Sequence, residues 1–480
     1  MTDPVASAPS LTSALRLRAS RIYSRTGNAS RLGLILGLAA FAFMLHWTYE
    51  EKISPHFSYL GLRYRDPSIW RYMVVFLLVC ALGLLLPWTF RRASDFILWV
   101  MFILAVAPSM LLPQYADVIS RPRSFELAMY IACSFAMVVV LAPHGPSFRL
   151  ARIPAPPVVV WALVAAISIC VYAYIWYTTG LGLKFVSLAS VRDIRFEFRD
   201  QIANHGRLLG YLVRVQGNVI NPLIIARGVY SRRWLVVGLG IALQLPIFAA
   251  TGFRMTLLSS AVIIGIAVLF RLRRRPPGWT ILAATMSAAV FAIVIDGIRG
   301  GILYTEVFVD RLLITPGVLT AAHVEVFREM PKALWGYSFM ASFVDYPYDT
   351  SPAFIVGREF TGDASTSSNG NLFADGYANL GYAGMFIEAA FLVLVLWAVN
   401  AASRRLPIAV SSLILLVPTL ALVNSSAFTS VLTDGYAAAI LLMVLLPRDG
   451  WGARGVRGAW RVRRRGRAAT GDAQTGPGDR

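Results

Sequence analysis

Cysteine, histidine and acidic side chains are all scarce in this chain, and each shortage excludes something. There are three cysteines and five histidines in 480 residues. Cys80, Cys133 and Cys170 each fall inside an apolar run, where buried thiols suggest neither a disulfide framework nor a metal site. The sequence has no DxD pair and no His/Cys cluster at ligand spacing, so it requires no metal. A P-loop and a dinucleotide fingerprint are also missing, which argues against ATP, a nucleotide-sugar donor or any other cofactor of that kind. Charge is thin as well. Only 15% of residues are Asp, Glu, Lys or Arg, and 45 bases outnumber 25 acids for a net charge of +20, mainly from arginine.

Apolar residues fill the space instead. They make up 57% of the chain, mean hydropathy is +0.62, and runs of 16 to 23 such residues recur along most of it. A helix of roughly 20 residues crosses a ~30 Å hydrocarbon core. Only helices and closed barrels satisfy the backbone in lipid, and these runs are too long for barrel strands. The fold class is therefore an all-α polytopic membrane protein. The first 31 residues are polar and arginine-bearing, and LGLILGLAAFAFMLHWTY follows them. That run is long for a signal-peptide core and lacks a clear cleavage site, so it predicts an uncleaved first span.

Spans are expected at 32–49, 71–90, 95–112, 125–142, 157–177, 208–229, 234–250, 255–270, 279–296, 377–399, 408–424 and 430–446. The sixth is the weakest, because it carries Arg214, Gln216 and Asn218. The positive-inside rule tests the set. With a cytoplasmic N-terminal tail (1–31), the same side receives Arg91–Arg92, Arg149, Arg152, Arg232–Arg233, RLRRR at 271–275, Arg404–Arg405 and the basic tail 447–480. All the short basic connections share one side only with twelve spans and both termini inside. The basic tail suits anionic lipid head groups better than nucleic acid, which is not an expected partner.

The bundle (32–446) thus carries two outward loops, 178–207 and 297–376, and a tight turn, TGFR. The longer loop holds nine acids against five bases, with aromatics in WGYSF and VDYPYD. A structureless loop of that length is unusual, so it is expected to fold over the membrane and carry function. Tyr346, Tyr348, Asn369 and Asn371 are candidates for holding sugar hydroxyls and ring faces; the same aromatics also suit a small loop core.

Outward arginines are the sharpest feature. In SVRDIRFEFRDQ, helical spacing would put Arg192, Arg195 and Arg199 on one face with no acid at the salt-bridging positions. A self-repelling stripe of that kind gains from a bound anion, or rests on lipid phosphates. Arg254 in TGFR, Arg299, Arg311 and Arg358 are outward too. Their planar forks suit phosphate oxygens, although a lone arginine at a span end also snorkels to the interface. SSNGNLFADGYANLGYAGM (367–385) brings Asn and Asp to the membrane surface, and its glycines permit close helix approach.

The twelve-span layout, TGFR in its turn, the large loop before the tenth span and NLFADGYANLGYAGM resemble the bacterial O-antigen polymerases, the Wzy-type oligosaccharide repeat-unit polymerases. The resemblance covers most of the chain in layout and two short motifs in sequence, and it extends to GT-C-like polymerase and ligase bundles. It implies a bacterial inner-membrane glycosyltransferase with a periplasmic active site. Its partners would be a lipid-linked oligosaccharide donor and acceptor, membrane lipids and a chain-length regulator. A growing glycan on undecaprenyl pyrophosphate would pass to a new lipid-linked repeat unit. Preorganised cations would stabilise the departing pyrophosphate, Arg254 first among them. The base would come from His205, His323, Glu359, Asp363 or Asp375. An O-antigen ligase fits much of the same pattern. A lipid-linked oligosaccharide flippase is the alternative from another class, opposed by the lack of matched broken halves and of a charged relay expected mid-span.

Overall fold

The computed structural model describes residues 11–146, 156–179, 207–273 and 275–447. These residues are helical with no strands, and nine helices are long and apolar enough to cross a membrane. Four shorter apolar helices join them. In chain order they are α1 (Ser30–Leu60), α2 (Ile69–Leu85), α3 (Ala93–Gln114), α4 (Arg121–His144), α5 (Pro157–Tyr177), α6 (Leu208–Ser231) and α7 (Trp234–Thr251). Then come α8 (Arg254–Leu272), α9 (Trp279–Arg299), α10 (Leu303–Val326), α11 (Leu372–Ser403), α12 (Ile408–Leu422) and α13 (Tyr436–Leu445).

Burial orders these helices. α3 is buried along its whole apolar length and forms the axis of the bundle, whereas α5, α7 and α9 expose most of theirs. Leu235 is 91% exposed and Ile298 81%. An apolar surface on this scale is stable only against lipid, so the chain is a polytopic helical membrane protein. Cys80 is buried, but Cys133 and Cys170 lie exposed on α4 and α5, contrary to the expectation that all three are buried. All three are free thiols.

Each expected span coincides with a helix, including the weak sixth. α6 accommodates its polar residues by pairing them, with Gln216 and Asn221 fully buried. Gln216 donates to Asn221 at 2.8 Å, Asn221 donates to Gln244 of α7 at 3.0 Å, and Arg214 pairs with Asp434 at 3.6 Å. α6 and α7 approach closely because Gly228 lies against the Val237 backbone, 2.6 Å from where a Cβ would sit.

The segment 297–376, expected as one outward loop, is different. Its stretch Leu303–Val326 sinks into the bundle as α10, with Val318 and Thr320 fully buried. Glu306, Asp310, Arg311 and Glu325 near its two ends hide an apolar middle, which is why the charge pattern reads as a loop.

Helix ends sort into two faces of the bundle. At one, Asn400 near the end of α11 bonds Ser94 at the start of α3 (3.0 Å), and Trp397 donates to Leu141 at the end of α4. At the other, Gln114 closing α3 donates to Ser124 in the first turn of α4 at 2.8 Å. α10 belongs to this second face at both ends. Asp296, near the end of α9, accepts from Tyr304 and Thr305, and Glu325 pairs with Arg123 of α4 at 3.2 Å.

Candidate functional site

The start of α11 is fixed inside the protein by Asn371. Its Oδ1 caps the helix by accepting from Phe373 (3.1 Å) and Ala374 (3.2 Å). Its Nδ2 donates to Ser109 of α3 (3.0 Å) and Thr320 of α10 (2.9 Å). Two turns later the helix breaks. Leu380 leaves helical geometry (φ −148°, ψ 27°), and Gly381 adopts φ 64°, ψ −150°, a region essentially reserved for glycine. The two halves pack so closely that a Cβ on Gly384 would lie 1.9 Å from the Gly376 carbonyl oxygen.

A broken helix leaves backbone carbonyls that lipid cannot satisfy. The turn at 333–335 supplies the donors: Ala333 to Ala378 O (3.0 Å) and Leu334 to Asn379 O (3.2 Å). To do so, Leu334 and Trp335 both take left-handed backbone, φ 47° and 54°. Strain in two non-glycine residues side by side is a mark of functional sites.

Side chains converge on that turn. Trp335 N donates to Asn379 Oδ1 at 2.6 Å. Its indole Nε1 stands 3.3 Å from Asp375 Oδ2 and 3.4 Å from Glu388 Oε1, so one donor serves carboxylates from both halves of α11. Asp375 also accepts from Tyr337 OH (2.6 Å) and Asn379 Nδ2 (2.9 Å). Glu388 is fully buried and accepts from Ala427 N at 2.8 Å, at the start of the short helix Ala427–Leu432. Burial, then the Asp375 charge and hydrogen bond, hold the Tyr337 hydroxyl well above its ordinary pKa, so it stays protonated as a donor. Lys332 approaches the break over the Tyr377 ring, 4.3 Å from its centroid, and burial lowers its pKa.

Aromatic rings extend from this cluster. Tyr337 lies 5.7 Å from Tyr346, which packs edge-on to Tyr348 at 5.5 Å. Tyr346 and Tyr348 also donate to Thr350 O and Pro331 O, each at 2.5 Å, which fixes their ring planes. On the other side, Trp335 meets Phe428 and Phe339. A half-buried carboxylate beside a tyrosine wall can take a proton from a sugar hydroxyl and hold a sugar ring.

Of the residues expected at a site, Asp375, Tyr346 and Tyr348 come together here. Asn371 anchors the helix behind them, and Asn369 accepts from Ser367 on the preceding loop. His323 is buried in α10, bonds Leu319 O at 2.8 Å and packs against Gly370. Asp363 closes its own loop by accepting from Ser365 and Thr366. Arg358 and Glu359 pair with each other in the open, and Arg299 lies over Tyr304. Arg311 is exposed beside Asp310. Arg254 opens α8 as its first residue, after Gly252 in left-handed backbone; its side chain lies outside the described residues. Arg192, Arg195, Arg199 and His205 lie outside them altogether.

Reading the sequence for site residues misses Glu388 altogether, and takes Trp335 and Tyr337 in WGYSF and Asn379 in 367–385 as surface groups rather than as partners of Asp375. An acid inside the apolar run MFIEAAFLVLVL was the available signal for Glu388. It also overturns the expectation that no charged relay lies mid-span. Among the described residues no group of three His, Cys, Asp or Glu stands together in a metal-binding arrangement. No family model matches the chain, and no curated protein or solved structure matches it either.

Proposed function

We propose that the chain is a bacterial inner-membrane glycosyltransferase that polymerises undecaprenyl-pyrophosphate-linked oligosaccharide repeat units at the periplasmic face. The observation that carries this reading is the Asp375 cluster, a carboxylate oriented by Tyr337, Asn379 and Trp335 at a broken helix and flanked by a tyrosine wall. In this reading α10 enters and leaves on the periplasmic side, and the other twelve helices cross, with both termini cytoplasmic. The Asp375 site then opens to the periplasm.

The chemistry has two needs. The acceptor hydroxyl attacks the anomeric carbon of the donor while Asp375 takes its proton. The bond from that carbon to the pyrophosphate oxygen breaks, and the lipid pyrophosphate leaves with the electron pair. Cations stabilise that leaving charge, and Arg254, next to the turn between α7 and α8, is the first candidate. Arg192, Arg195, Arg199, Arg299, Arg311 and Arg358 are further candidates by type and side. Tyr346 and Tyr348 would hold glycan rings.

A second reading has one specific observation in its favour. A fully buried acid on a broken helix is also how transporters build proton-coupled sites, so Glu388 supports a lipid-linked oligosaccharide flippase. An O-antigen ligase shares the donor and differs only in the acceptor.

One experiment separates the three. The gene is deleted in its source bacterium and restored as wild type, Asp375→Asn or Arg254→Ala, and surface and lipid-linked glycans are resolved on gels. Single repeat units on the surface in the deletion and in Asp375→Asn are the polymerase outcome. Full-length polymer retained on the carrier lipid points to a ligase. Repeat units trapped on the cytoplasmic side point to a flippase and overturn the enzyme reading.

A further inference from the structure

At the opposite face of the bundle from Asp375 lies a second feature with its own chemistry. A cavity of about 380 Å³ opens between the start of α3, the end of α4, the end of α11 and the start of α12. That is within the roughly 300–1,000 Å³ range of small-molecule sites. Arg91, Arg92 and Arg404 line it, together with Asn400, Ser403 and Ser411. Among the described residues none of these three arginines enters an ion pair. Among the described residues no acid lines the cavity, and Asp95 beside it turns its Oδ2 to the backbone, accepting from Arg91 N and Arg92 N at 2.8 Å each. Three arginines therefore line one cavity, and among the described residues the carboxylate beside them is already engaged with the backbone. The amino end of α3 adds its own positive partial charge at the same place.

The wall is held rigid. Ser94 N donates to Asn400 Oδ1 at 3.1 Å and Asn400 Nδ2 donates to Ser94 Oγ at 3.0 Å, tying α3 to α11 beneath the mouth. Arg92 is fixed on the Pro143 carbonyl. Trp397, Leu406 and Ile408 give the cavity an apolar wall beside these polar groups. Charge at the mouth and an apolar flank beside it match an amphiphile.

We propose that this cavity binds a phosphate-bearing anionic lipid, its phosphate oxygens gripped by Arg91 and Arg404 and its chains lying along Trp397 and Ile408. The proposal stands independently of the reaction at Asp375. The chemistry recognised is a phosphate ester oxyanion, and free phosphate carries the same group without chains.

The test uses the purified full chain in neutral detergent micelles, titrated with dihexanoyl phosphatidylglycerol, dihexanoyl phosphatidylcholine or inorganic phosphate and read by native mass spectrometry. Saturable binding of the glycerol lipid, weaker for the choline lipid, whose trimethylammonium group offsets its phosphate charge, and weakened about tenfold or more in the paired Arg91→Gln, Arg404→Gln variant, is the expected result. A second variant, Ala401→Trp, fills the cavity without changing charge and is expected to weaken binding as well, which covers failure of the first to fold. Inorganic phosphate binding as tightly as the lipid overturns the lipid assignment and makes the ligand soluble phosphate. Wild-type binding in both variants overturns the site and leaves these arginines as topology markers alone.

Discussion

The Tyr337 hydroxyl donates to Asp375 Oδ1 across 2.6 Å, joining the segment after α10 to the first half of the broken α11. The bond couples a side chain of the segment between α10 and α11 to a carboxylate at the broken helix.

Asp375→Asn is expected to lower glycan polymerisation by about a hundredfold or more, the scale of a lost general base. Tyr337→Phe keeps the ring and removes one hydrogen bond to a charged group, roughly 1.5–3 kcal/mol, so a loss of about ten- to a hundredfold is expected. Transfer between purified lipid-linked repeat units measures both. Equal, small effects from the two variants would remove Asp375 from the chemistry.

Glu388 separates the enzyme from the transporter. Glu388→Gln keeps one acceptor oxygen, enough for the Ala427 amide or the Trp335 indole but not both, and cannot carry a proton. Near-normal transfer in vitro is expected under the glycosyltransferase reading. Loss of lipid-linked glycan translocation in proteoliposomes, with transfer absent in wild type too, would favour transport. Glu388→Ala leaves the Ala427 amide unpaired and should cost about 1–3 kcal/mol of stability.

Gly384→Ala should lower the melting temperature, because its Cβ would fall 1.9 Å from Gly376 O, a backbone atom that cannot swing aside. Overpacking on this scale costs about 1–3 kcal/mol or more. Gly33→Ala is the control, since no heavy atom lies within 4 Å of the added carbon. A melting curve unchanged by Gly384→Ala would contradict the close packing of the two halves.

Topology is measurable with single cysteines in a background lacking Cys80, Cys133 and Cys170. Asp345→Cys and Arg405→Cys sit in exposed positions near the two faces. In intact spheroplasts a charged maleimide is expected to modify the first and to reach the second only after permeabilisation. Modification of both from the same side would refute the proposed orientation.

Sequence periodicity and arginine placement were enough to locate the helices, because a lipid-crossing helix must show its apolar length directly. Asp375 was also legible, in a polar stretch opening a span. α10 was not, because acids near both ends interrupt its apolar run. Nor was the site itself. Trp335 and Tyr337 are separated from Glu388 by some fifty residues, and what joins them is the kink at Leu380–Gly381, which no local pattern announces. Glu388 carried a readable signal of its own, as an ionisable group within an apolar run.

The broken helix also sets an order of assembly during synthesis. The donors of Ala333 and Leu334 leave the ribosome before the carbonyls of Ala378 and Asn379 that they satisfy, so the break finds its partners already made. Glu388 follows, and its remaining acceptor is met only when Ala427 has been added. A nascent chain halted between 388 and 427 therefore carries Glu388 without its backbone donor.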